Sequence, residues 1–202
     1  MKRLLLILLS LCFIIGCFAG CSHKEEPKVT DEVTQNTEEP KPVFPDPEFT
    51  DVTAVMLGTC LGKAPEDCGI PEDSLFMTGD GVHGYDYVTL GEIKGNLTCY
   101  WSDNGVYSFI FGSNPYEDNA KFTDAFNTVN TLIANGLNTD AKEPTFTGAE
   151  TEDAMTAVFE GKGVLISEYQ GEGFTVSVTG CGVNGVATIA VECRAAESEG
   201  RL

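Results

Sequence analysis

Alternation of apolar and polar residues predicts a β-hairpin near the end of the chain. Residues 174–182 and 186–193 flank the dipeptide Asn184-Gly185. Asn-Gly between strand-like runs favours a type I′ turn, which needs positive φ at both positions. The apolar positions are Val176, Val178, Ile189, Val191 and Cys193, and the alternate polar positions are Thr175, Ser177, Thr179, Thr188 and Glu192. This pattern predicts a sheet that buries only one of its two faces.

A second hairpin is predicted around the turn residues 103–105, Asp-Asn-Gly. The flanking segments, 96–102 and 106–112, are rich in aromatic and β-branched residues, which favour strands. With Asn104-Gly105 as the two turn residues, we expect Tyr100 to lie opposite Phe109 on the neighbouring strand.

The strongest helical pattern lies between the two hairpins. Asp118 or Asn119 can cap the start of this helix, and Gly136 can end it. Its apolar side chains recur at helical spacing, at Phe122, Phe126, Val129, Ile133 and Leu137. We expect this stripe to pack on the apolar face of the sheet.

The remaining patterns are shorter. Residues 86–90 and 164–169 are predicted strands, 150–157 a short helix or turn, 79–84 a loop, and 64–67 a short helix beginning near a proline. The resulting order predicts the α+β class, an antiparallel sheet with hairpins and one main amphipathic helix packed on one face. This order resembles the helix-plus-meander repeats of small secreted inhibitor and assembly-factor domains, although the chain carries no motif specific to them.

Residues 1–20 have the pattern of an export signal. Lys2 and Arg3 precede an apolar run over 4–18, which is shorter than the roughly 20 residues that span a bilayer. The following residues, Phe18-Ala19-Gly20-Cys21, resemble the lipobox of bacterial lipoproteins. In that family the signal peptide is cleaved just before the cysteine, and the sulfur of this cysteine carries diacylglycerol.

This resemblance implies that Cys21 is the lipidated residue. Cys17 also follows a matching tetrapeptide, but the polar segment begins only at Ser22, which favours Cys21. Each buried CH₂ contributes about 0.8 kcal/mol, so two or three acyl chains would anchor the protein durably. The expected location is the extracytoplasmic face of a bacterial cell membrane. Ser22 would indicate the Gram-negative outer membrane by resemblance, whereas the acidic segment after it favours a Gram-positive surface.

Residues 21–50 are predicted to form a disordered stalk. Five of the nine prolines lie there, acidic residues outnumber basic ones by eight to three, and few residues are large and apolar. A single folded domain is expected over 51–196, followed by a polar tail at 197–202.

Charge excludes two classes of partner. The 202 residues carry a formal net charge of -19, and residues 51–202 account for -16 of it. Nucleic-acid binding depends on Lys and Arg neutralising phosphates, so no nucleic-acid partner is expected. A basic membrane-binding patch is excluded for the same reason. Contact with the membrane is therefore expected through the lipid alone.

The predicted domain contains an odd number of cysteines, Cys60, Cys68, Cys99, Cys181 and Cys193. The hairpin register places Cys181 and Cys193 on opposite faces, which prevents a bond between them. Cys60 and Cys68 are the candidate disulfide in an exported protein. The alternative is that all five are buried thiols that act as small apolar side chains. No zinc site is expected, because C-x₂-C spacing is absent and His83 is the domain's single histidine.

No catalytic constellation emerges from the sequence, and no cofactor is expected. A G-x-S-x-G motif and a P-loop are both absent. Aromatic residues instead cluster around the hairpin at 96–112, which makes Trp101, Tyr100 and Tyr107 a candidate recognition surface. We therefore expect a non-enzymatic module that binds a protein, peptide or envelope component. The alternatives are an envelope hydrolase that uses carboxylates or a Cys–His pair with His83, and a structural element of an envelope assembly.

Overall fold

A single β-sheet of nine strands organises the part of the chain that the computed structural model describes, residues 48–196. These residues belong to one compact unit. The signal peptide at 1–20, the lipidated Cys21, its alternative Cys17 and the tail at 197–202 lie outside the described residues. The stalk does too, except for its last three positions.

Most regular elements of the described residues are strands, and helices are a minority. The strands are β1 (Thr50–Asp51), β2 (Leu75–Gly79), β3 (Val82–Leu90), β4 (Ile93–Ser102), β5 (Gly105–Ser113), β6 (Thr145–Gly148), β7 (Gly163–Gly171), β8 (Phe174–Val183) and β9 (Val186–Ala195). The helices are α1 (Thr53–Met56), α2 (Asn119–Gly136) and α3 (Ala154–Phe159), with 3₁₀ turns at Pro65–Cys68 and Glu72–Ser74.

The sheet consists of two meanders joined side by side. The strand order is β1-β3-β4-β5-β9-β8-β7-β6, and β2 pairs with a separate part of β3. All pairs are antiparallel except β1 with β3. The meander β3-β4-β5 meets the meander β7-β8-β9 along the β5–β9 pair. The predicted α+β class agrees with this architecture in outline.

The β8–β9 hairpin follows the predicted register. Val183 pairs with Val186 across a two-residue turn, and the turn residues Asn184 and Gly185 have φ values of 53° and 83°. The predicted apolar positions are buried, whereas the alternate Ser and Thr positions are half-buried or exposed. Cys181 and Cys193 therefore lie on opposite faces, as predicted.

The β4–β5 hairpin differs from its predicted register. Tyr100 pairs with Ser108 rather than with Phe109, because the two-residue turn falls at Asp103-Asn104 instead of Asn104-Gly105. A bulge next to Trp101 then adds one residue on β5, so that Tyr100 pairs with Ser108 and not with Tyr107. The extra residue of the bulge lets Val106 and Phe109 both reach the buried side, 2% and 0% exposed respectively. Burial of both apolar side chains thus decides the register.

Helix α2 begins and ends where the sequence predicts. The side chain of Asp118 accepts hydrogen bonds from the backbone N–H groups of Ala120 and Lys121, at 2.8 and 3.1 Å. The helix ends at Gly136, and four of the five predicted apolar side chains are fully buried. Its aromatic rings contact the sheet at Gly180, where an added Cβ would lie 3.0 Å from Phe122 and Phe126.

The predicted loop at 79–84 is wrong. Gly79 pairs with Val82 across a tight turn at Asp80-Gly81, so β2 and β3 form a further hairpin. Asp-Gly supplies the positive φ that such a turn needs, and Gly81 has φ of 71°. Within residues 48–196, no helix has the length and apolar character required to cross a bilayer.

Candidate functional site

One face of the sheet carries the helices, and the other does not contribute to the described hydrophobic core. We call the second surface the open face. It is formed by the alternate residues Thr98, Tyr100, Ser108, Ile110, Ile166, Ser177, Thr179, Ala190, Glu192 and Arg194. The core cluster includes their strand neighbours, such as Leu97, Phe109 and Val178, but none of these ten. Most of the ten are half-buried, as expected for side chains that touch only their neighbours in the sheet.

Two tyrosines lie side by side at one end of the open face. The ring centroids of Tyr100 and Tyr107 are 6.4 Å apart, and Tyr107 is 46% exposed. Burial raises the pKa of Tyr100, and the neighbouring Tyr107 and Glu192 raise it further. The Tyr100 hydroxyl therefore remains protonated at neutral pH and can donate a hydrogen bond to a ligand.

An ion pair borders the two tyrosines. Arg194 contacts the Glu192 carboxylate at 2.5 Å, and the Ser108 hydroxyl donates to the same oxygen at 3.3 Å. Ser108 is paired with Tyr100 on one side and with Arg194 on the other. The row across β4, β5 and β9 thus places a phenol beside a neutralised charge pair, with the buried Ser108 between them.

Strand β2 extends the same surface with apolar side chains. Phe76 and Met77 are 59% and 39% exposed. An added Cβ at Gly84 would lie 2.9 Å from Phe76 and 3.1 Å from Met77, so both side chains occupy the space above this glycine. Gly84 is paired with Thr98, which belongs to the open face. Sequence reasoning missed these two residues because the Asp80-Gly81 hairpin signal was not recognised.

The open face is poor in charge, although the domain is strongly acidic. Strands β4, β5, β7, β8 and β9 contain only two acidic residues, Glu168 and Glu192, and Arg194 neutralises the second. The other carboxylates lie on turns, helices and the remaining strands. Depletion of charged side chains together with exposed aromatic rings is typical of the centre of a protein–protein interface.

Trp101 lies away from the two tyrosines. Its ring centroid is 5.8 Å from that of His83, and its side chain packs against the core. The indole Nε1 is buried and has no hydrogen-bond partner among the described residues. Of the three aromatic residues proposed for recognition, the structure therefore brings together Tyr100 and Tyr107 but not Trp101.

A cleft of about 710 Å³ opens beside Trp101 and His83. Glu66 and Asp103 also line it, from the 3₁₀ turn and from the β4–β5 turn. His83 Nδ1 lies 3.3 Å from the hydroxyl of Tyr85, and this contact orients the imidazole. Aromatic and acidic side chains thus share the lining of this cleft.

The residues of the suggested Cys–His pair are neighbours in the sheet. Cys99 is paired with His83 across β3 and β4, but its side chain is only 1% exposed. Burial raises the pKa of the Cys99 thiol to about 12, with a smaller contribution from the nearby Cys60. An attacking thiolate requires the opposite shift. Within residues 48–196, no group of three or more His, Cys, Asp or Glu side chains is arranged to hold a metal ion.

Cys60 and Cys68 lie next to each other as thiols. The Cys60 Sγ lies 3.7 Å from the carbonyl oxygen of Cys68 and is in position to donate to it. The candidate disulfide partners are thus brought together by the fold.

Comparison of the chain with protein-family models, with curated proteins and with solved structures gave no match in any of the three cases. The function must therefore be argued from the geometry of the domain itself.

Proposed function

We propose that this protein is a lipid-anchored extracytoplasmic lipoprotein whose open face binds another protein. The observation that carries the proposal is the contrast between this face and the rest of the domain. A surface with one exposed tyrosine, one half-buried tyrosine and one neutralised ion pair belongs to a region, residues 51–202, whose net charge is -16.

Anchoring follows from the N-terminal sequence. The short apolar segment ends in the lipobox-like tetrapeptide, and Cys21 would carry the lipid. The proline-rich acidic segment between Cys21 and β1 would hold the domain away from the membrane. This arrangement presents the domain to molecules outside the cell.

The chemistry of the surface selects the kind of partner. Tyrosine supplies a large contact area at low entropic cost, and it is frequent among residues that dominate binding energy. Acidic side chains around a charge-poor centre repel acidic proteins and attract a partner with a basic rim. The expected partner is therefore a protein with an apolar centre and basic residues around it.

Site-specific photo-crosslinking in living cells tests this proposal. A benzophenone amino acid replaces Tyr107 or Thr179 on the open face, and Asn127 on the exposed side of α2 serves as the control position. We expect both open-face positions to capture the same protein and Asn127 to capture none. A Cys21→Ala version of each should lose the product, because the domain is no longer held at the membrane.

The captured protein is then purified and its affinity measured. Tyr107→Ala should weaken binding at least tenfold, whereas Asn127→Ala, on the exposed side of α2, should leave it unchanged. Equal crosslinking from Asn127 and Tyr107, or an unchanged affinity for Tyr107→Ala, would rule out the open face as the binding surface.

A further inference from the structure

Four of the five described cysteines lie near one another under the covered face of the sheet. Cys60 is adjacent to Cys68, with a contact of 3.7 Å from its Sγ to the Cys68 carbonyl oxygen. The Cys68 thiol donates in turn to the Ala64 carbonyl oxygen at 3.5 Å. Cys99 and Cys193 occupy covered positions on β4 and β9 and are fully buried. Cys60 and Cys68 thus lie together within the segment that connects α1 to β2.

This connecting segment has little regular structure to hold it. Residues 57–74 contain only two short 3₁₀ turns. The segment is attached to β5 by two backbone hydrogen bonds of 2.8 Å, from Gly62 N–H to the Val106 carbonyl and from Val106 N–H to the Lys63 carbonyl. A connection of this length without α-helix or strand is uncommon in a compact domain. A covalent link between its ends would stabilise it.

We propose that Cys60 and Cys68 form a disulfide in the exported protein. The proposal rests on the extracytoplasmic location argued above, because thiols in the cytosol are kept reduced. It identifies a modification site that is independent of the open face. Cys99 and Cys193 remain thiols, since Phe109 on β5 pairs with both and separates them by two strand spacings, roughly 10 Å.

The bond forms by thiol–disulfide exchange with a disulfide donor, either a protein oxidoreductase or a small molecule such as oxidised glutathione. The Cys60 thiolate attacks one donor sulfur and releases the other as a thiol, which leaves a mixed disulfide. The Cys68 thiolate then attacks Cys60 and releases the second donor thiol. The protein loses two electrons and two protons, and the donor gains both.

Oxidation is expected during folding rather than afterwards. Burial, with a smaller contribution from the neighbouring Cys60, raises the pKa of Cys68 to about 12, so the folded protein holds little thiolate there at neutral pH. Once formed, the bond would fix the segment that lines the Trp101 cleft and supports Val106 next to Tyr107.

Trypsin cleaves after Lys63, which lies between Cys60 and Cys68, so the two cysteines fall in different peptides. Cells that produce the full chain are treated with N-ethylmaleimide before lysis, and the protein is digested without reduction. Cys60 falls in peptide 29–63 and Cys68 in peptide 64–94, and neither peptide holds another cysteine. We expect these two peptides as one disulfide-linked species that separates on reduction. N-ethylmaleimide on both, or a link to peptide 95–121 or 163–194, would overturn the proposal.

Two controls complete the experiment. Cys68→Ser should abolish the linked species, whereas Cys181→Ser should leave it intact. Reduction of the purified full chain should lower its melting temperature by about 5–10 °C, and Cys68→Ser should remove this sensitivity to reductant. Protease added outside the same cells tests whether the protein lies at the cell surface. This result distinguishes failure of the disulfide proposal from failure of the proposed function. Alkylated thiols in a surface-accessible protein overturn the disulfide alone, and a protein that remains in the cytoplasm overturns both.

Discussion

The hydroxyl of Tyr169 donates a hydrogen bond of 2.9 Å to the side-chain oxygen of Asn130, and this bond joins the sheet to helix α2. Both residues are buried, and the Asn130 amide nitrogen donates in turn to the Phe126 carbonyl at 2.9 Å. The network fixes how the helix sits on the covered face. It therefore helps to determine which face of the sheet is left open.

Removal of the Tyr169 hydroxyl should destabilise the domain. Tyr169→Phe leaves the Asn130 side-chain oxygen buried without its donor, which costs about 1–3 kcal/mol. Tyr100→Phe, on the open face, should change the free energy of unfolding by less than about 0.5 kcal/mol. Urea denaturation of the two variants measures both values. Equal losses would mean that the bond to Asn130 contributes nothing specific.

Adding a methyl group at a glycine should destabilise the domain more on the covered face of the sheet than on the open face. Gly180→Ala places a Cβ 3.0 Å from the fully buried rings of Phe122 and Phe126, and it should cost about 1–3 kcal/mol. Gly112→Ala meets only the side-chain oxygen of Asn96, at 3.3 Å, and should cost less than about 0.5 kcal/mol. Thermal unfolding of both variants tests whether the helix packs directly against β8.

The carboxyl of Asp153, the N-cap of α3, should have a pKa below the ordinary value for aspartate. Asp153 accepts hydrogen bonds from the Thr156 hydroxyl at 2.7 Å and from its N–H at 3.1 Å, and these bonds lower the pKa of the carboxyl. Because the pKa is lower folded than unfolded, ionised Asp153 stabilises the fold above the unfolded pKa. This stabilisation is lost as pH falls through the folded pKa.

Carboxyl NMR titration checks this shift. Thr156→Val removes the hydroxyl, and we expect the midpoint of Asp153 to rise towards its ordinary value. Thr156→Ser keeps the hydroxyl and should keep most of the shift. An unchanged midpoint in Thr156→Val would show that the hydroxyl is not the main cause.

The indole N–H of Trp101 should contribute nothing to stability. Trp101→Phe removes a buried donor that has no partner among the described residues, so the loss of stability should stay below about 1 kcal/mol. Trp101→Ala should cost about 3 kcal/mol, because the apolar body of the ring is lost as well. Chemical denaturation of both variants distinguishes the two contributions. A loss above 2 kcal/mol for Trp101→Phe would mean that the N–H has a partner in solution.

Local sequence patterns were sufficient to predict two parts of the fold, helix α2 and the β8–β9 hairpin. Helix α2 was predicted with its cap at Asp118 or Asn119 and its end at Gly136, and the β8–β9 hairpin with its turn at Asn184-Gly185. Both depend on information within a few residues, namely side-chain periodicity, a capping side chain and a turn that needs positive φ. The β2–β3 hairpin carried an equally local signal at Asp80-Gly81, which the sequence reasoning overlooked.

The position of the tyrosines could not be predicted in this way. A bulge of one residue next to Trp101 shifts the β4–β5 register, and a shift of one residue exchanges the two faces of a strand. Tertiary packing selects the bulge, because only this register buries Val106 and Phe109 together. The structure therefore places Tyr100 and Tyr107 side by side on the open face, whereas Trp101 lines the cleft.

The sequence by itself determined the long helix, the last hairpin, the acidic character of the domain and the lipobox-like N-terminal segment, because each depends on neighbouring residues or on composition. The tertiary structure decided which residues share the open face. Ser108 and Glu192 are 84 positions apart and meet only because β5 pairs with β9. That pairing joins the two meanders, and it depends on packing contacts between distant segments, which no local pattern encodes.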